Sequence, residues 1–251
     1  MLIGIDEAGR GPVLGPLVVG ICAVPEGQES TLRSMGVKDS KDLSSRRRHE
    51  LESWFLEQCE REGWFGTTVV IEPEAIDVAL QQQGLNWLEV EGFRDAITKL
   101  PVKHDLSIVA DACDVNAQRF TDRITAGLEG WPWAGCSMIS EHKADQHHPV
   151  VAMASILAKE ERDRRINAMS DRVGFEVGSG YPSDPATKSA LHRLVLQEGI
   201  DAQVRWGWAT VERFWSEHLT GDVPVRGVQR TEQRRLFPVS YTHLTLPTRR
   251  G

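Results

Sequence analysis

Residues 1–11, MLIGIDEAGRG, decide how the rest of this 251-residue chain is read. Leu2, Ile3 and Ile5 form a short apolar run with the composition of a buried strand, and it ends directly on two adjacent carboxylates, Asp6 and Glu7. Two acids that merely open a solvated turn are ordinary, so the pair alone decides nothing. The next residues are less ordinary. Gly9 and Gly11 flank Arg10, and Pro12 forbids a helix, so backbone can approach a phosphate or sugar closely while a guanidinium supplies fixed donors. Carboxylates beside such a loop point to metal-assisted phosphodiester chemistry, which requires further acids downstream.

The same pattern returns. Leu106 to Ala110 reads as a strand and again ends on an acid, Asp111; Asp114 is then assigned as the cap of a helix whose face carries Phe120, Ile124 and Leu128. Cys136 to Ser140 reads as a short strand leading to Asp145, which precedes a helix with Val150, Ala154, Ile156, Leu157 and Ala158 on its apolar face. Between these, Val13 to Val24 reads as a second strand, antiparallel to the first across a tight Gly/Pro connection. Ser44 or Ser45 caps a helix that buries Leu51 and Phe55, and Trp64 to Ile71 has strand composition. Helices are expected over Pro73 to Gln83 and Leu85 to Leu100, the second with Leu85, Leu88, Phe93 and Ile97 in the core. A glycine-rich turn carries Tyr181, either a stacking platform for a sugar or base or a packing residue, before a helix from Asp184 or Pro185. Val204 to Leu219 reads as a Trp-rich helix.

Composition limits the function classes. At 40% hydrophobic residues the chain can build a sizeable core, and no apolar stretch is long enough to span a bilayer. The beginning of the chain lacks a secretory signal, and four scattered cysteines without a CxxC pair fit neither a disulfide framework nor a zinc knuckle, so a reduced cytoplasm is expected. A net charge of -7 argues against coating nucleic acid through bulk positive charge. Lys38 to Arg48 and Lys159 to Arg165 are basic runs, either solvated helix faces or the walls of a positive groove. His142, His147 and His148 fit no zinc spacing, and the carboxylates suit magnesium or manganese.

Five stretches together resemble type 2 ribonuclease H, ribonuclease HII, in its archaeal form. They are GIDEAGRGPVLGPLVV (4–19), GVKDSKDLSSRRR (36–48), ADACDVNAQRF (110–120), EHKADQHHPVVAMASILAKEERD (141–163) and GSGYPSDPATK (178–188), in family order, over about Met1 to Thr210. The resemblance implies an α/β ribonuclease H-like fold: a central five-stranded mixed sheet flanked by helices, with a helical C-terminal region beside the cleft. It implies that Asp6, Glu7, Asp111 and Asp145 are catalytic carboxylates holding two divalent ions, Mg2+ or Mn2+, with Asp6 the bridging ligand. Gly9, Arg10, Gly11 and Tyr181 would meet the recognised ribonucleotide, and Lys41, Arg46, Lys143, Ser155 and Lys159 would contact phosphates. The implied activity is endonucleolytic cleavage of RNA in RNA/DNA hybrids and on the 5′ side of ribonucleotides embedded in duplex DNA. Another ribonuclease H-like nuclease, or a non-catalytic hybrid-binding module, is the alternative.

The expected organisation is a catalytic domain over 1–200, a C-terminal helical region over 201–222 and a tail over 223–237. Within that tail Gln233 to Phe237 resembles the start of a sliding-clamp peptide, the alternative being an unstructured charged tail. Residues 238–251 resemble the translated adapter tail often fused to metagenomic open reading frames and are set aside from the fold. A monomer is expected, with no membrane partner.

Overall fold

The computed structural model describes residues 1–196 and 200–226. Five strands, β1 (Leu2–Ala8), β2 (Leu17–Val24), β3 (Phe65–Ile71), β4 (Ser107–Asp111) and β5 (Ser137–Glu141), form one mixed sheet in the order β3-β2-β1-β4-β5. β1, β2 and β3 pair antiparallel, as the tight connection after β1 predicts, whereas β4 and β5 run parallel to β1.

The helices are α1 (Glu29–Ser34), α2 (Ser45–Glu62), α3 (Pro73–Gln81), α4 (Leu85–Thr98), α5 (Ala117–Ala126), α6 (Ala144–His147), α7 (Pro149–Val173), α8 (Pro185–Val195) and α9 (Ala209–His218). All eight residues of β2, LVVGICAV, are buried, because helices cover both faces of the sheet and no solvent side remains for alternation. One face, with Ile3, Ile5, Leu17, Val19 and Ile21, packs on Phe93 and Ile97 of α4 and on Phe120 and Ile124 of α5. The opposite face, with Cys22, Val24 and Val109, packs on Leu51 and Phe55 of α2 and on Val150, Val151 and Ala154 of α7. A third cluster joins Val13 and Leu14 to Ile166 of α7, Leu191 and Leu194 of α8, and Trp206 and Trp215.

α7 sits directly on the strands. A Cβ added to Gly4 would lie 2.1 Å from the Val150 carbonyl carbon, and one on Gly20 would lie 2.2 Å from the Ala154 oxygen, so only glycine permits this approach. The contact explains why the first part of α7, from Pro149 to Ala158, is buried almost all round.

Several expected boundaries move, each for a local reason. β2 starts at Leu17 rather than Val13, because Gly15 adopts φ +81° and residues 13–15 bond instead to Gly180 and Gln203. Asp114 is not the cap of α5: Asn116 is, its side chain accepting from Arg119 N at 2.9 Å, while Asp114 is buried and gripped by Arg119 and Arg123. Asp145 does precede the long helix, but it lies in a one-turn helix of its own, α6, entered through Lys143 at φ +59°. The C-terminal helix covers only Ala209–His218, since the backbone of Trp206 and Gly207 is held by the Asp77 carboxylate. α1 falls in a stretch for which no helix is expected from the sequence. Among the described residues no helix is long and apolar enough to cross a membrane.

The glycine contacts make a testable demand. Gly4→Ala should destabilise the protein by about 2–3 kcal/mol or more, at or beyond the upper end of ordinary overpacking, because helix backbone rather than a movable side chain is in the way. Urea unfolding of the variant beside Gly11→Ala, where φ is not positive and an added Cβ meets only Tyr181 Cε1 at an ordinary 3.7 Å, separates this from a generic loss of glycine.

Candidate active site

Parallel pairing of β1 and β4, with Ile5 opposite Ala110, brings the C-terminal ends of the two strands side by side. Asp6, Glu7 and Asp111 therefore converge: each offers a carboxylate oxygen, and these oxygens lie within 4.8 Å of one another. The Glu7 amide donates to Asp6 Oδ1 at 2.7 Å, and the Ala144 amide donates to Asp111 Oδ1 at 2.7 Å. The second bond ties α6 to the end of β4 and brings buried Asp145 into the field of the cluster, where it raises the pKa of Asp6.

All four carboxyls are pushed above their ordinary range. Burial is the largest cause in each case. Glu7 and Asp111 add repulsion at Asp6, Asp111 adds it at Glu7, and Asp39 and Asp111 add it at Asp145. At Asp111 burial is opposed by the Ala144 amide and by Lys41 and His142. Such crowding of hard oxygen donors fits divalent cations of the magnesium or manganese kind.

Around the acids, Ser155 of α7 bonds to Asp6 and lies 3.0 Å from the Ser40 hydroxyl, so it faces the cluster from within the protein. Burial lowers the affinity of Lys41 for its proton, but Asp39, Asp145, Asp6 and Asp111 outweigh this and hold its pKa above the usual value. Cys113 donates from Sγ to Glu7 at 3.0 Å.

The 9–11 loop and Tyr181 also come together. Gly9 adopts φ +93°, Gly11 is exposed, and a Cβ on Gly11 would stand 3.7 Å from Tyr181 Cε1. Gly180 O accepts from the amides of Val13 (2.8 Å) and Leu14 (3.2 Å), which fixes one loop to the other. Arg205, 0% exposed, donates to Gly9 O (2.6 Å), Arg10 O (3.1 Å) and Gly15 O (2.9 Å), and burial pulls its pKa down to about 9. Arg162 is equally buried; it donates to Ser179 O at 2.8 Å and lies 5.3 Å from the Tyr181 ring centroid. The Arg10 guanidinium is taken by two residues of α4: it is paired with Glu89 and donates to Asn86 Oδ1 at 2.8 Å. The loop thus presents backbone, with its guanidinium turned toward protein.

The basic runs do not form an open positive wall. Arg46 pairs with Glu50 at 2.9 Å, Arg48 with Glu160 and Asp163, Lys159 with Asp163, Arg164 with Glu52 and Glu161, and Arg165 with Glu161. Lys143 is exposed beside Asp145, and its amide bonds to Asp111. His148 Nε2 lies 3.0 Å from the Glu141 carboxylate.

Comparison with known proteins gives the family. The family model for ribonuclease HII matches residues 3–211. The chain belongs to the ribonuclease HII family. As a member of it, the protein is an endoribonuclease. It is 42% identical over 216 residues to the ribonuclease HII of Thermococcus onnurineus, covering 85% of this chain and 89% of that one. The crystal structure of ribonuclease H2 from Pyrococcus horikoshii superposes with a TM-score of 0.75 at 37% identity, covering 86% of this chain and 97% of that one. Ribonuclease HII of Archaeoglobus fulgidus, in its structure with PCNA, gives 0.71 at 36% identity, covering 83% and 95%.

Five residues that the structure places around the candidate site are not picked out from the sequence: Asp39, Asn86, Glu89, Arg162 and Arg205. Glu89 carries a readable signal. It stands four residues after Leu85 and four before Phe93, on the buried stripe of α4, where an acid needs a partner. Arg205 has no such signal, because its acceptors are backbone carbonyls nearly 200 residues away.

The raised carboxyl pKa values set the sign of the pH response. Because the native state binds these protons more tightly than the unfolded chain, stability in chelator is full below the ordinary carboxylate range. It falls as pH rises through the raised values. Asp6→Asn should flatten that fall and melt higher than the parent protein in chelator at neutral pH. Magnesium or manganese at a hundredfold excess over its Kd should restore about 2.7 kcal/mol to the parent protein and much less to the variant, as read from melting curves.

Proposed function

We propose that this endoribonuclease cuts the RNA strand of RNA/DNA hybrids and duplex DNA on the 5′ side of an embedded ribonucleotide, leaving 3′-hydroxyl and 5′-phosphate ends. The observation that supports this best is that the Asp6, Glu7 and Asp111 carboxylates, with Asp145 in their field, stand in one protein with a glycine loop whose exposed Gly11 faces Tyr181.

Asp6, Glu7, Asp111 and Asp145 would hold two divalent ions, Mg2+ or Mn2+, with Asp6 shared between them. When bound, such ions activate a water for in-line attack and stabilise the leaving 3′ oxygen. The carboxylates are kept in place by the Glu7 and Ala144 amides and the Ser155 hydroxyl. Lys41, which feels Asp145, Asp6 and Asp111 together, is positioned to pair with a phosphate brought to the acids. Lys143 would add a second cation. Arg46 and Lys159 could join only by releasing Glu50 and Asp163.

Selection of a ribonucleotide must rest on the 2′ hydroxyl. Backbone of the 9–11 loop, exposed at Gly11, would reach it, because Gly11 leaves open the space before Tyr181 that a side chain would fill, and the Tyr181 ring would pack on the sugar. Arg10 sets the loop through Glu89 and Asn86. We also read Gln233 to Phe237, which lies outside the described residues, as a contact for a sliding clamp, in line with the complex of the Archaeoglobus fulgidus relative with PCNA.

The test is a duplex DNA carrying one ribonucleotide, incubated with magnesium or manganese, with the cut mapped to the nucleotide. Incision immediately 5′ of the ribonucleotide is expected. Cutting of long hybrids alone would leave the carboxylate assignment and remove the single-sugar account. Asp6→Asn should lower cleavage at least about a thousandfold, the scale of losing a group central to transition-state stabilisation, while hybrid binding stays within a few-fold in a gel-shift titration. Cleavage retained in this variant would reject the cation set.

A further inference from the structure

Beside the proposed cation set lies a second group of ligand-type side chains that the reaction does not use. Cys113 Sγ, a Glu7 oxygen and a Glu89 oxygen all lie within 4.8 Å of one another. Among the described residues, this is the one such group that contains a cysteine. The loop after β4 delivers Cys113, the end of β1 delivers Glu7, and α4 delivers Glu89.

Two observations make the group more than a chance cluster. Cys113 is already directed at Glu7, donating to its Oε2 at 3.0 Å. Glu89, 0% exposed, places one oxygen on the Arg10 guanidinium and leaves the other, Oε1, buried with no hydrogen-bond partner. An unpartnered buried carboxylate oxygen is costly, and a ligand that satisfied it would gain what the fold leaves unspent. Cys113 and Glu7 are only partly buried, which opens the group toward the same cleft as Asp6 and Asp111.

We propose that Cys113, Glu7 and Glu89 form a binding site for a soft divalent cation, Zn2+ or Cd2+, whose occupation inhibits the enzyme. A sulfur ligand with two carboxylates selects such ions and discriminates against magnesium, which prefers an all-oxygen shell. On binding, the Cys113 thiol releases its proton to solvent. The Cys113-Glu7 hydrogen bond is replaced by a bond from each group to the ion, and Glu89 contributes the oxygen that Arg10 does not hold. Glu7 is then withdrawn from the four acids proposed to hold the catalytic cations, and Arg10 loses part of the charge that anchors it.

The inhibitory part rests on the proposed function; the binding part does not. The full chain, freed of metal with chelator, is titrated with Cd2+ alone while the ultraviolet absorption of the cadmium-thiolate bond is followed. One equivalent should bind with that absorption. Cys113→Ser should abolish it, and Glu89→Gln, whose amide oxygen still accepts from Arg10, should weaken it about tenfold or more. In magnesium-driven cleavage, Zn2+ should inhibit the parent protein at concentrations at least about tenfold below those needed for Cys113→Ser, with reversal by chelator. The site is rejected if no thiolate absorption appears in the parent protein, or if it persists in Cys113→Ser, which would place the ion on Cys22, Cys59 or Cys136. Equal Zn2+ sensitivity of the two proteins rejects the inhibition. If neither protein cleaves any hybrid, the proposed function fails, and the absorption measurement still decides the site.

Discussion

Four carboxyl groups that burial pushes toward the protonated form are gathered in one place, three at the ends of two parallel strands and Asp145 on the short helix α6 tied to them, and much of the surrounding structure serves to keep them there. Parallel strands put equivalent ends at the same edge of the sheet, so acids that terminate β1 and β4 must meet. The seating of α7 on Gly4 and Gly20 then closes the sheet from one side, buries Asp6 and delivers Ser155 to it. Main-chain amides of Glu7 and Ala144 supply the neutral donors that a crowded anionic site can accept without attracting a permanent cation. The acid cluster is therefore strained electrostatically in the way that cation binding would relieve.

A second constraint acts on the loop over 9–11. Its carbonyls at Gly9 and Arg10 point inward, and without donors they would be buried unsatisfied. Arg205 answers both and Gly15 O as well, while Arg162 holds the neighbouring loop at Ser179 and lies under Tyr181. Burial lowers the pKa of both guanidiniums, and at Arg205 the neighbouring charge of Arg162 lowers it further. Arg205 suits its place because a carbonyl-rich turn needs a donor with several N–H groups in one plane, which lysine cannot offer. The segment before α9 is thereby coupled to the loop that faces the cleft, so the C-terminal layer governs the shape of the proposed recognition surface.

Legibility of the sequence follows the range of the interaction. Strand ends carrying Asp6, Glu7 and Asp111 are visible because a buried apolar run and an acid at its end are adjacent in sequence, and the antiparallel turn after β1 is equally local. Asp145 rests on family likeness, since its approach to Asp111 depends on α6 and a left-handed Lys143. The misplaced cap at Asp114 is a contest between two short polar side chains. Asn116 wins because α5 begins at Ala117, and the Asp114 side chain is captured by Arg119 and Arg123 from within the helix. The Trp-rich stretch from Val204 has helical composition, yet Asp77 and the buried Arg205 fix its first residues in a non-helical path, a tertiary effect that no local pattern encodes.

The charge arrangement carries the remaining argument. An acidic chain, with a net charge of -7, acts in a family whose substrates are polyanions, and its two basic runs are largely consumed in ion pairs with Glu50, Glu52, Glu160, Glu161 and Asp163. Bulk attraction therefore contributes little to substrate capture. The groups proposed to bind substrate lie instead around the acids: Lys41 beside them, exposed backbone at Gly11, the half-exposed Tyr181 ring, and the positive charge that cations would bring to the carboxylates. In the proposed reaction such an arrangement would weaken binding along ordinary duplex and leave discrimination to short-range contacts with one sugar and its phosphates, which would favour finding rare ribonucleotides among a large excess of DNA.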